Sequence, residues 1–175
     1  ALACGLVVLA GFSMEALGYL KTGPLVRLVA MALYLSQEVP FYRTFRKHGT
    51  LGLSLALALS LLLAGQVFQA LFPQYFKAME HIVFMGGFGL LTFTVATRVI
   101  LGHGGQSTRF KSRFPSLVAV IVLVVVALLT RISADIFPKV MVSHQVYAAL
   151  IWVAGAIVWG CALLPGVFRR DDEPS

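Results

Sequence analysis

From Leu51 to Phe72 the chain reads LGLSLALALSLLLAGQVFQALF, with no ionisable side chain anywhere in it. A helix of that length rises about 30 Å, the thickness of a bilayer's hydrocarbon core. Outward from this stretch, comparable apolar runs occupy residues 3–20, 79–101, 115–132 and 140–164. A weaker run over 24–39 is cleanest only from Leu25 to Ser36 and contains Arg27, so it reads either as a tilted span or as an interfacial helix. The chain as a whole is 59% hydrophobic and 12% charged with a mean hydropathy of +0.89. Soluble domains carry roughly a quarter charged residues, so the bilayer has to be the solvent. Open sheet edges cannot be satisfied in hydrocarbon, and the runs are too long and continuous for barrel strands. The expectation is an all-α, polytopic bundle of five or six transmembrane helices over residues 1–168, with a polar tail at 169–175.

The net charge of +7 does not point to nucleic acid, because the basic residues sit in short loops between apolar runs and form no continuous basic face. They follow the positive-inside pattern. Arg43, Arg46, Lys47, Arg109, Lys111, Arg113, Arg169 and Arg170 fall on one side, against Lys21, Lys77 and Lys139 on the other. The first side is expected to be the cytoplasm, with the C-terminus there and the chain in a bacterial inner membrane. Cys4 and Cys161 lie singly in apolar stretches and make neither a disulfide framework nor a zinc site. The chain opens on Ala1 inside an apolar run with no basic n-region, which is a poor signal peptide. The run reads as a span whose upstream neighbour is absent. The expected partners are thus the lipid bilayer and a missing N-terminal half of the polypeptide or a second copy.

Metal-binding and ionisable side chains at membrane depth are costly to insert and call for a reason. His81 opens the 79–101 run, His103 follows its end, His144 lies in the first turn of the last run, and His48 precedes the 51–72 run. Twenty-two positions separate His81 from His103, so a straight helix holds them about 33 Å apart, at opposite faces. His81 and His144 start their runs at the same face and meet only if those helices are neighbours. Met85 lies one turn after His81, Met141 three before His144 and Tyr147 three after it. Imidazole with thioether suits copper or haem iron, although methionine is also a common filler of apolar packing.

Gly86, Gly87 and Gly89 let either a partner helix or a flat macrocycle approach the backbone, the former being the commoner cause. Thr92, Thr94 and Thr97 add hydroxyls for helix carbonyls or a polar ligand. Arg98, one turn from the boundary, is placed to snorkel to phosphate or bind a carboxylate, with Gly102, His103, Gly104 and Gly105 forming a bend behind it. Glu80 and Asp135 are carboxylates at the interface, where they are solvated or orient an imidazole. There are no paired carboxylates at depth, no nucleophile and no phosphate loop, so any catalysis would be metal-based.

The stretch from His81 through Gly86-Gly87-Phe88-Gly89 to Thr97-Arg98-Val99-Ile100-Leu101-Gly102-His103-Gly104-Gly105 resembles the signature of the NnrS family of multispanning bacterial membrane proteins. In that signature a histidine opens a glycine-containing helix that closes on Thr-Arg-x-x-Leu-Gly-His-x-Gly. His81, Arg98, Gly102 and His103 match it and are the implied cofactor-binding residues; His81, His103, His144 and Met85 are the metal-ligand candidates. The sequence departs at Ala96, where the family usually has methionine, and at Gln106, where it has arginine. The 51–72 run also lacks an expected tryptophan and histidine near its start.

The resemblance implies a twelve-span parent of which this chain is the latter half, haem and copper as cofactors, a redox partner, and a role in denitrification and protection from nitric oxide. Two readings stand beside it. One is half of a transporter with Arg98 in the substrate path. The other is a structural or assembly subunit without a cofactor.

Overall fold

The computed structural model describes residues 1–38 and 49–167. His48, Arg43, Arg46, Lys47, Arg169 and Arg170 lie outside the described residues. All regular structure among those described is helical: α1 (Leu2–Ala16), α2 (Thr22–Gln37), α3 (Thr50–Leu71), α4 (Phe76–His81), a π-helical stretch (Ile82–Gly89), α5 (Leu90–His103), α6 (Pro115–Ile136) and α7 (Met141–Leu163). The chain from Phe76 to His103 is one unbroken rod, so the described residues form an all-α bundle of six rods. Four of them, starting at Thr50, Pro73, Pro115 and Pro138, are long and apolar enough to cross a membrane.

Several boundaries follow from single residues. Proline opens the turns before α4 and α7 at Pro73 and Pro138, and α6 itself at Pro115, where its missing N–H is not needed by the helix. α1 and α2 are short, 15 and 16 residues or about 22–24 Å, and α1 stops well before the end of the 3–20 run. Apolar character continues through Leu17 and Leu20, but Gly18 turns the chain with φ +93° and closes a tight helical hairpin. Pro24 sits in the first turn of α2, where proline is tolerated.

That hairpin closes unusually tightly. A Cβ on Gly11 would lie 2.6 Å from Cγ of Arg27, and one on Gly23 would lie 2.7 Å from the Gly11 carbonyl. Without side chains at these two positions, α1 and α2 touch backbone to backbone. The hairpin then docks through α2 on α3, while α6 and α7 pair closely on the far side.

The main core lies between α3, α5 and α6, where Ala58, Leu90, Leu117, Val120 and Val124 are sealed, with Trp152 and Trp159 of α7 packed on them. Hydroxyls tie this core across helices. Ser54 Oγ and Thr94 Oγ1 lie 2.6 Å apart, and Trp159 Nε1 donates to Thr97 Oγ1 at 2.9 Å.

The π stretch was not foreseen. IVFMGGFG satisfies an α-helical pattern equally well, and what distinguishes it is its fit to α3. A Cβ on Gly87 would meet Leu62 Cδ2 at 2.5 Å, and one on Gly86 would meet Leu61 at 2.9 Å and Leu128 at 3.1 Å; opposite, Gly65 receives Val83. Of the two reasons for glycine considered above, close helix approach is the one realised at Gly86 and Gly87.

Candidate functional site

A cluster of buried polar side chains lies within the bundle at the helix ends near Lys77. Arg27, on the second turn of α2, is the largest fully buried side chain in the protein, 1% exposed. Its Nε donates to Gln66 Oε1 at 2.9 Å, Nη2 to Gln69 Oε1 at 2.7 Å, and Nη1 to Glu15 Oε2 at 2.8 Å. Nη2 also contacts Glu15 Oε1, and the Phe12 ring lies 4.0 Å from the guanidinium carbon. Three helices therefore meet on one cation.

Removing a guanidinium from water without such partners would cost several kcal/mol, so this geometry is what makes its burial tolerable. The sequence reading took Arg27 only as a flaw in a short apolar run. Its partners were legible as polar residues in apolar helices, Gln66 and Gln69 at i,i+3 spacing, but nothing local joined them to a residue 39 or 42 positions away.

His81 closes α4 half-buried, and its Nδ1 lies 2.6 Å from the Lys77 carbonyl oxygen. A carbonyl only accepts, so Nδ1 carries a proton, and in the neutral ring the lone pair is then on Nε2. His144 reaches the same state by another route. Ser133 Oγ donates its one proton to the Thr130 carbonyl at 2.8 Å, so at 2.8 Å from His144 Nδ1 it must be the acceptor. Ser133, not Asp135, is thus the residue that orients this imidazole. Asp135 instead pairs with Arg131 one turn back, at 2.8 Å. The two histidine-bearing helices are not direct neighbours: α4 packs on α3 and α6, and α7 packs chiefly on α6, which stands between them. Met85 is half-buried against the Ala78, Met79, Ile82 and Leu128 cluster, and Tyr147 stacks obliquely near His144 at 6.3 Å. Met141 is exposed.

At the opposite end the residues matching the signature divide into two sets. Thr97 and Leu101 face the core, Thr97 donating to the Phe93 carbonyl at 2.6 Å while accepting from Trp159. Arg98 is exposed, its guanidinium 5.3 Å from the Phe110 ring centroid, and the open side of Gly102 faces the same ring at 3.8 Å. His103, the last residue of α5, is exposed, and Gly104 and Gly105 turn the chain away from it. Thr92 donates to the Phe88 carbonyl, so none of the three threonines is left without an internal bond.

Haem iron takes four nitrogens from its macrocycle and asks a protein for only one or two axial ligands, each steadied at its second nitrogen. His81 and His144 meet that requirement individually. A copper site asks for several converging donors, and no group of three or more His, Cys, Asp or Glu side chains converges among the described residues. His81 and His144 could thus each supply a single nitrogen ligand to a haem iron.

A family model described as NnrS protein matches residues 1–170. No curated protein and no solved structure matches significantly.

Proposed function

Since the chain belongs to the NnrS family, we propose that it is a haem-associated inner-membrane protein, linked also to copper, that acts in nitric oxide metabolism or in protection against nitrosative stress. The observation that carries this reading is the state of the imidazoles: His81 and His144 each have Nδ1–H committed within the protein and Nε2 open for a metal. Second-nitrogen bonding of this kind is the usual accompaniment of a metal-ligating histidine. When bound, haem iron supplies a coordination position at which nitric oxide can be held.

The chain's own part is to fix the tautomer at one face of the bundle and to present His103 at the other. Arg98, exposed beside His103 and backed by Phe110, is suited to a carboxylate such as a haem propionate. The positive-inside pattern puts Lys111 and Arg113 in the cytoplasm and His81 and His144 toward the periplasm. A second copy or another polypeptide would supply the further donors that copper needs.

The test is optical. The purified full-length protein is expected to show a Soret band that shifts on reduction with dithionite, and His81→Ala, His144→Ala and His103→Ala are each expected to lower bound haem or copper by a defined fraction. A colourless, metal-free preparation rejects the cofactor reading. Full occupancy in all three variants rejects these ligands while leaving the family intact.

A further inference from the structure

Beside the Arg27 cluster lies a small cavity of about 60 Å³ lined by Val8, Phe12, Met31, Gln66, Gln69 and Glu80, with the π stretch forming one wall through Val83, Phe84 and Phe88. Its polarity follows from the arginine. A guanidinium has donors only, so the atom that each glutamine turns toward Arg27 must be its carbonyl oxygen, as found at 2.9 and 2.7 Å. Each side-chain NH2 is then left facing elsewhere. Neither has a partner among the described residues, and neither is fully closed off from open space. Both glutamines line the cavity, so their amide nitrogens open onto it.

We infer that this cavity is a binding site for ordered water, held between the side-chain amides of Gln66 and Gln69 and the carboxylate of Glu80. Its occupant has to accept hydrogen bonds from the glutamines and donate one to Glu80. An anion would be opposed by Glu80, because the charges of Arg27 and Glu15 already cancel. A cation would meet four amide protons. A small neutral molecule that both donates and accepts suits the few polar groups in this otherwise apolar lining, and water does so at the available size, since about 10–15 Å³ of such space admits one. Ordered waters of this kind characteristically satisfy buried polar groups that lack protein partners. The site stands apart from the haem reading and would exist whether or not metal binds. It makes the Arg27 cluster a wet layer within an otherwise apolar bundle, reaching to the residue next to His81.

Hydroxyl-radical footprinting by X-ray radiolysis tests this on the full-length protein in lipid nanodiscs, with rates corrected for intrinsic reactivity. Bound water generates radicals in place, so Met31 should be oxidised severalfold faster than Met79, which is buried in an apolar cluster. Val8→Phe fills the cavity without altering a polar group and should bring Met31 down to the rate of Met79. If that variant does not fold, Gln69→Met removes an amide donor and should have the same effect. Equal rates at Met31 and Met79 in the unaltered protein overturn the inference, as does labelling of Met31 that survives the folded variant. So does labelling of Tyr34 as fast as Met31, because the two share the neighbouring apolar groove while Tyr34 does not line the cavity, and equal rates would mark entry from the lipid side.

Discussion

The two ends of the bundle treat their arginines in opposite ways. Near Lys77, Arg27 is sealed among Glu15, Gln66 and Gln69 from two other helices; near Lys111, Arg98 lies exposed on the face of a single phenylalanine. The histidines follow the same division, with His81 and His144 tethered at Nδ1 and His103 exposed at the close of α5. A buried cation has to be surrounded before the fold can tolerate it, while an exposed one is left to water and headgroups. The tethered end is built for fixed geometry and the open end for access.

Arg27→Met should break this contrast most visibly. It strands Glu15 and both glutamines, and a loss of about 3–5 kcal/mol is expected, as for other buried pairs broken on one side. Thermal unfolding in detergent would measure it, and the double variant Arg27→Met/Glu15→Gln should recover part of the loss. If the single variant unfolds like the unaltered protein, the cluster does not hold the hairpin to α3.

A smaller effect is expected from Ser133→Ala, which leaves the fold alone but frees His144 to adopt either tautomer. Loss of such an orienting partner typically weakens metal affinity about 10–100-fold, and Ser133→Thr should restore it. The ¹⁵N shifts of His144 report the tautomer without any metal present, so a failed tether and a failed ligand assignment give different results.

Arg98→Ala should have the least effect on stability, below about 1 kcal/mol, because an exposed cation–π contact contributes little. A large drop in melting temperature would mean that the open end is structurally committed after all.

The membrane-crossing rods were plain in the sequence because a stretch such as 51–72 has one physical solution in lipid. His81, Arg98 and His103 were visible for a similar reason: polar groups stand out in apolar runs, and the structure keeps them on one rod at opposite ends. Arg27 was equally visible, but its meaning depended on Glu15 across a hairpin and on glutamines of the next helix, contacts that exist only after Gly11 and Gly23 let the hairpin close. Ser133 escaped notice because its service to His144 depends on where its single proton goes, a matter decided by Thr130. The π stretch was hidden because hydrophobic periodicity reports which face is oily and says little about how many residues complete a turn.

That extra residue count sets the angular phase between the two halves of the long rod. Each residue absorbed by a wider turn would have swung an α-helix by about 100°. A chain shortened by one position between Ile82 and Gly89, and relaxed to regular α geometry, would thus aim Glu80 along a different compass bearing from the one by which it now lines a cavity with Gln66 and Gln69, while Thr97 kept its footing against Trp159 of α7. The alignment of one end of this rod with the other depends on that local surplus of backbone.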